Sequence, residues 1–406
     1  MSFQQGLSGL DAATKNLDII GNNVANANTV GYKSAAAEFA DVFASSVGGD
    51  KTQVGIGTSI SAVKTNFAQG NITVSNNPLD LAINGQGFYR LDTQGVISYT
   101  RNGQFSLDKN GYIVNSAGDN LTGYAAGANG VVSTASFAML QVSTAQVSAN
   151  PTTSGTIQVN LDAKKALLPA AGFLTTDPST YSDATSLTVF DSLGDQHIMS
   201  VYFQKTAANV WDVYAAGDGV QIGAASVGQI GFLSDGTLDP ATTTFPAVVN
   251  VPASAGAAVS IAVNLDFTGT TQFGNSFSVN QLTQDGYSSG SVAGYSVTAD
   301  GMIMARYTNG QTRQQGQVIL ANFKDPGGLA QLGANHWVET QASGQPLPGP
   351  PGTSDLGVIQ AGALEESNVD LTAALVAMIT AQRVYQANAQ TIKSQDEVLQ
   401  TMLNMK

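Results

Sequence analysis

A chain of 406 residues with 11 % charged residues and a net charge of −13 has room for roughly two to four domains but few ionic surfaces. The acidic balance excludes a nucleic-acid binder, whose phosphate partner requires a basic face. The absence of Cys excludes a disulfide framework, a thiolate metal site and a thiol nucleophile. No run approaches the ~20 apolar residues that span a bilayer, and Met1-Ser2-Phe3-Gln4-Gln5 lacks the basic and apolar regions of a secretory leader. Neither membrane insertion nor a cleaved signal peptide is expected.

From the N-terminus, Phe3, Leu10, Leu17 and Val24 recur every seven residues, with Leu7, Ala13, Ile20 and Ala27 beside them. That period predicts an amphipathic helix with a coiled-coil-like seam. The run Ala25-Asn26-Ala27-Asn28-Thr29-Val30-Gly31-Tyr32-Lys33 should end it, because Asn and Gly tolerate the left-handed backbone of a helix C-terminus. Residues 34–75 are mixed in character and are expected to form a linker region. Within them Gly55-Ile56-Gly57 lacks the third glycine and following helix of a dinucleotide loop, and reads as plain loop.

Residues 76–145 read as β structure. Leu79, Leu81 and Ile83 alternate with polar or small residues, and Asn84-Gly85, Asn102-Gly103 and Asn110-Gly111 signal tight turns between short strands. Asp80 and Asp92 read as turn and strand-edge aspartates, since no partner base is indicated. Residues 146–284 change character, with ten Asp against three Lys and neither Glu nor Arg. Alternation at Ile157, Val159 and Leu161, and at Ile261, Val263, Leu265 and Phe267, predicts an all-β module inserted into the preceding domain.

Asp191-Ser192-Leu193-Gly194-Asp195 offers two carboxylates near a glycine without the other ligands of a calcium loop, so it reads as a turn. Residues 285–362 return to the earlier style, with turns at Asp300-Gly301 and Asn309-Gly310, and should complete the domain begun at residue 76. His197 and His336 are the only imidazoles and lie far apart in sequence. No His-based metal cluster or triad is expected, no cofactor is indicated, and both read as ordinary surface or strand histidines.

From Asp370 to Asn404 neither Gly nor Pro occurs, and Leu371, Met378, Tyr385, Ile392 and Leu399 recur every seven residues. Leu375 and Met402 widen the stripe. Between Thr372 and Gln390 the only charge is Arg383; Gln382, Gln386, Asn388 and Gln390 supply amides instead. That composition suits a helix crowded on several sides. Heptads at both ends predict terminal helices brought together as a pair. Such a pair has little core of its own and should be marginal alone and ordered by association; a simple intramolecular hairpin is the alternative.

The terminal motifs resemble those of bacterial flagellar rod, hook and hook-associated axial proteins. At the N-terminus the resemblance lies in Ser8-Gly9-Leu10, Leu17–Asn23 and the 25–33 run, including Asn22, Asn23, Asn26, Asn28, Thr29, Gly31 and Lys33. At the C-terminus it lies in Ser367–Leu371 and Met378–Asn388, including Asn368, Asp370, Gln382 and Arg383. Asn77–Tyr89 and Arg101–Phe105 are similar to the first conserved β region of hook-type members. Phe39-x-x-x-Phe43 is similar to the short export-gate motif of rod and hook substrates, and Phe3-x-x-x-Leu7 fits it equally well.

The expected fold is therefore α+β and multidomain: paired terminal helices (1–33 and 365–406), a linker (34–75), a discontinuous β domain (76–145 and 285–362) and an inserted β domain (146–284). The resemblance implies a non-enzymatic subunit of the hook, a curved helical tube acting as a universal joint between rod and filament. Its polymerisation interface would comprise Phe3, Leu10, Leu17, Ile20, Val24, Leu371, Leu375, Met378, Tyr385, Ile392, Leu399 and Met402. Implied partners are further copies, the hook cap, the distal rod, the hook–filament junction protein and the flagellar type III export apparatus. Alternatives are another axial protein, distal rod or hook-associated, or a secreted β-rich adhesin, which would not carry heptads at both termini. A glycosidase would need two carboxylates about 5–10 Å apart across one cleft.

Overall fold

The structure, a computed structural model, describes residues 2–42, 55, 57–127, 130–169, 172–258 and 260–404. The chain divides into two compact units, one of residues 1–143, 294–306 and 312–406, the other of 144–293 and 307–311. Both are built mainly from antiparallel strands, and the first adds a helix at each end of the chain.

Helix α1 (Ser2–Ala25) and helix α2 (Leu371–Asn404) pack together. The pairing is antiparallel: a Cβ at Gly6 would lie 3.0 Å from Ile392 Cγ1, and one at Gly9 would lie 2.8 Å from Asn388 Nδ2. Among the described residues the buried apolar side chains of the two helices are mostly small, Ala12, Ala13 and Ala381, with Ile20 as the one bulky member. Glycine and alanine let the helix backbones approach closely, which leaves the longer heptad side chains at the margins of the contact rather than between the axes. Leu10, Leu17, Val24, Met378 and Ile392 are half-buried there. Phe3, Leu371, Leu375, Tyr385, Leu399 and Met402 are exposed.

Asn26 closes α1, its N–H donating to the carbonyls of Asn22 (3.1 Å) and Asn23 (3.2 Å). Part of the expected linker is a strand pair. β1 (Ala35–Val42) and β2 (Gly57–Thr65) form an antiparallel ribbon with a bulge at Glu38/Phe39, and Gly57, expected in a loop, opens its second strand. β1 is rich in Ala and β2 in Ser and Thr, and neither carries a sustained apolar alternation to betray it. A two-stranded ribbon is marginal alone, and this one leans on α1: Gln5 Nε2 donates to Gly55 O at 2.6 Å, and Thr58 N–H to Ser8 Oγ at 3.4 Å. Phe39 sits on β1; Phe43 and Ile56 lie outside the described residues.

The main sheet of the first unit draws strands from both sides of the intervening unit. Strand Phe88–Thr93 pairs with Val96–Thr100, Asn120–Ala125 and Leu320–Asn322, and Asn120–Ala125 pairs in turn with Thr312–Val318. Leu81, Ile83, Leu91, Ile113, Leu121 and Val318 fill its core, and Phe88, Tyr99, Phe323 and Trp337 form an aromatic cluster beside it. Of Asn84-Gly85, Asn102-Gly103 and Asn110-Gly111, only the last closes a hairpin, between Ser106–Leu107 and Ile113–Val114. Gly103 serves a different end, since a Cβ there would lie 1.6 Å from Leu81 O: the dipeptide marks a close backbone approach rather than a turn.

The second unit holds two five-stranded sheets that share one core. One is centred on Gln196–Ala207 and Val210–Gly217, the other on Ser154–Asp162. The latter strand pairs in parallel with Ser260–Asp266 and Thr271–Phe273, an exception within an otherwise antiparallel unit. Phe203, Trp211, Val213, Val263, Leu265 and Phe267 are fully buried between the sheets. Asp191 organises a turn as expected, its Oδ1 accepting the N–H groups of Leu193 and Asp195 at 2.9 Å each. His197 departs from expectation. It lies on a strand, yet it is 7 % exposed and engaged at both ring nitrogens by groups 6, 21 and 57 residues away, separations that sequence spacing does not reveal.

Candidate functional site: the joined chain ends

Where α1 ends and α2 begins, the two ends of the chain are locked together by a buried carboxylate. Glu365 Oε1 receives Lys33 Nζ at 2.6 Å, and Oε2 receives Arg101 Nε at 2.9 Å. The side chains of Lys33 and Glu365 are fully buried and that of Arg101 nearly so. Two cations on one anion leave an excess positive charge, which main-chain carbonyls absorb: Lys33 Nζ also donates to Ala68 O (2.9 Å), and Arg101 to Gly85 O (2.9 Å) and Gly87 O (2.6 Å). Glu365 is further saturated by the Gly70 N–H at 2.9 Å, and its own carbonyl takes the Gly31 N–H at 2.8 Å. Burial pulls the Lys33 ammonium below its ordinary pKa, with Glu365 opposing and Arg101 reinforcing that shift. Neighbouring Tyr89, pushed up by burial, stays a neutral phenol that donates to Leu81 O at 2.8 Å.

Asparagines extend the clasp. Asn23 exchanges a pair of hydrogen bonds with the Ala35 backbone (2.7 and 2.9 Å) and accepts the Tyr32 hydroxyl at 3.1 Å. Asn368 accepts the Ser34 N–H at 2.8 Å and donates to Asn66 O (2.8 Å) and Ala68 O (3.0 Å). An amide side chain mimics a peptide group, so Asn23 ties α1 to the first residue of β1, and Asn368 ties the segment before α2 to Ser34, Asn66 and Ala68. Asp370 caps α2, its Oδ1 accepting the Ala373 N–H at 3.0 Å. Gly31 has φ +70° and leaves no room for a Cβ, which would fall 2.6 Å from Asn102 N.

The structure thus brings Asn23, Gly31, Lys33, Asn368 and Asp370 to one junction. Asn22, Asn26 and Thr29 shape the turn after α1, Oδ1 of Asn26 accepting the Thr29 hydroxyl at 3.1 Å. Asn28, Gln382 and Arg383 are exposed. Glu365 does not stand out in the sequence, and Arg101 does so as the first residue of the stretch similar to the conserved β region, without a partner to suggest its role. A further signal is scarcity of charge, for in a chain only 11 % charged an Arg inside a β-type stretch is conspicuous.

Beside the junction, α1, α2 and the β1–β2 ribbon enclose an open groove of about 1020 Å³ lined largely by small and apolar residues, among them Ala13, Ile20, Phe39, Ala377, Ala381 and Val384. Among the described residues no cluster of three or more His, Asp or Glu could hold a metal ion, and no helix is long and apolar enough to cross a membrane. Clasped termini, a helix pair with uncovered apolar side chains and two β units fit an axial structural protein of the kind the terminal motifs resemble, and comparison with known proteins shows that class. Residues 3–33 match the flagella basal body rod protein family, 82–175 the flagellar hook protein FlgE/F/G D1 domain, 160–287 the flagellar basal body protein FlaE D2 domain, and 360–405 the flagellar basal body rod FlgEFG C-terminal family.

Over its whole length, and the whole length of the relatives, the chain is 41 % identical to the flagellar hook protein FlgE of Escherichia coli K12 and 39 % identical to that of Salmonella typhimurium LT2. It is 30 % identical to that of Borreliella burgdorferi over 100 % of this chain and 99 % of the relative. A crystal structure of Helicobacter pylori flagellar hook protein FlgE2 shares the fold, with TM-score 0.55 and 13 % identity over 72 % of this chain and 100 % of that one. The chain belongs to the flagellar hook protein FlgE family. It is a structural subunit of the hook, not an enzyme.

Proposed function

We propose that the helix pair is the polymerisation surface, and that many copies build a curved tube serving as a universal joint between rod and filament. The supporting observation is that apolar side chains stand uncovered around much of α2, where Leu375, Val376, Ile379, Val384, Leu399 and Met402 are all exposed. A water-exposed patch of this kind seeks a partner, and a head-to-tail contact whose rotation does not close generates a helix of subunits. In this reading the exposed seam positions Phe3, Leu371, Leu375, Tyr385, Leu399 and Met402 meet neighbouring copies, while Leu10, Leu17, Ile20, Val24, Met378 and Ile392 serve both the pair and its neighbours. The outer β units slide or hinge as the tube turns. The hook cap, distal rod, hook–filament junction protein and type III export apparatus are its other partners, with export recognition placed in the Phe3–Leu7 pair or in Phe39 with Phe43.

Leu399→Asp is the discriminating variant, because Leu399 is 54 % exposed and its replacement removes nothing from the subunit's own core. Negative-stain microscopy of concentrated protein should show tubes from the parent and none from the variant, with superimposable circular-dichroism melts. Normal tubes from Leu399→Asp would sink the assignment. Ile392→Asp is a poorer choice, since Ile392 packs against Gly6 of α1 and its loss disturbs the pair itself. Secretion assays on alanine double variants of each aromatic or aliphatic pair separate the two export candidates: the pair that matters abolishes export, the other leaves it intact.

A further inference from the structure

We propose that His197, doubly protonated between Asp218 and Asp191, is a pH-sensitive tie that closes one end of the second unit. The imidazole sits at the start of strand Gln196–Ala207, with Nδ1 2.7 Å from Asp218 Oδ2 and Nε2 3.5 Å from Asp191 Oδ2. Asp218 lies in the turn after Val210–Gly217, where its φ of +48° is held because Oδ1 accepts the Ile198 N–H at 2.9 Å. Asp191 lies in the turn after Asp183–Phe190. The other sheet contributes Ser254, just beyond strand Ala247–Pro252, with Oγ 3.3 Å from His197 Nε2 and its N–H donating to Asp191 Oδ2 at 3.3 Å. One ring therefore joins two turns of one sheet to a loop of the other.

Ser254, His197 and Asp218 follow the connectivity of a hydrolytic triad, but the surroundings argue against that chemistry. The Ser254 N–H points at the Asp191 carboxylate. An anion stands where an acyl-transfer site needs donors for a developing oxyanion. As an ion tie the arrangement is self-consistent. A neutral imidazole has a single N–H and can satisfy only one of two carboxylates, whereas the imidazolium donates to both. Asp218 and Asp191 are the charges acting on the ring; burial opposes its protonation, but the bonds to these two carboxylates outweigh burial and hold its pKa above the ordinary value. Deprotonation leaves the Nε2 lone pair facing Asp191 Oδ2. Asp191 Oδ1 keeps the N–H groups of Leu193 and Asp195, whereas Oδ2, which accepts the Ser254 N–H, is the atom set against that lone pair, so the strain falls on the Ser254 loop.

A group whose folded pKa is raised contributes stability that is complete below its unfolded value, about 6.5 for His, and that disappears as pH rises through the folded pKa. The Ser254 loop should accordingly loosen in alkaline medium. The test is a histidine NMR titration of the full chain from about pH 5 to pH 9, with hydrogen exchange followed at 253–258. His197 should titrate above about 6.5, and exchange at 253–258, corrected for intrinsic rates, should rise several-fold above that midpoint. In His197→Gln the corrected exchange should be independent of pH. Asp218→Asn, which keeps a hydrogen-bond acceptor but removes a charge, should lower the His197 midpoint. A wild-type midpoint at or below about 6.5, the same exchange profile in His197→Gln, or an unmoved midpoint in Asp218→Asn would each overturn the tie.

Discussion

Glu365 binds Lys33 and Arg101 at once, and all three side chains are almost completely shielded from water. Such networks are unforgiving: a buried charge that loses its partner costs on the order of 3–5 kcal/mol. Glu365→Gln should therefore destabilise the first unit by about that amount, a large fraction of a domain's stability. The two tryptophans make this measurable unit by unit, since Trp337 lies in the first and Trp211 in the second. In a Trp211→Phe background, urea melting followed at Trp337 should shift to lower denaturant with Glu365→Gln. An unshifted midpoint would mean that the carbonyls alone hold the two cations. Lys33 and Asp370 are legible in the sequence as parts of recurring motifs. Glu365 is not, because its partner Lys33 is 332 residues distant, and no local pattern encodes a pairing of that range. The same limit hides the three groups around His197.

At the scale of elements, the sequence is legible where one periodicity dominates and opaque where backbone geometry decides. Both terminal helices and their pairing follow from the heptads. Their contact surface does not, because it runs through Gly6 and Gly9, and the buried side chains of the two helices are mostly alanines, Ala12, Ala13 and Ala381, residues that a hydrophobic template undervalues. The β1–β2 ribbon escapes notice for a related reason, its strands being stabilised by leaning on α1 rather than by a patterned face of their own. Glycines expose the difference between propensity and geometry. Gly21 is helical, and a methyl group added there would meet no atom within 4 Å, so Gly21→Ala should stabilise the isolated chain by up to about 1 kcal/mol through helix propensity. Gly31, with φ +70° and Asn102 N 2.6 Å from any Cβ, should lose stability by more than about 1 kcal/mol on the same substitution. Paired thermal melts check both signs, and a stabilised Gly31→Ala would contradict the geometry of the junction.

For the whole molecule the unequal lengths of the two helices matter most. α1 has 24 residues and α2 has 34, and the antiparallel register already sets Gly6, near the start of α1, against Ile392. The last two to three turns of α2 thus run past the end of their partner, and Val398, Leu399, Met402 and Leu403 are all more than half exposed. A helix end without tertiary packing frays, because propensity alone holds so short a segment poorly in water. If neighbouring copies supply the missing surface, amides in 397–404 should exchange rapidly in the free subunit and become protected on assembly. Removing 397–406 should then leave the melting of the subunit within about 0.5 kcal/mol, as for changes outside the packed structure, while abolishing tubes. Deletion that unfolds the subunit would show that the overhang is anchored within its own chain. Deletion that still permits tubes would place the intersubunit contact elsewhere in the chain. Rapid exchange in the subunit together with loss of tubes is the expected pair of results, and it assigns the C-terminal overhang to a contact with the neighbouring copy.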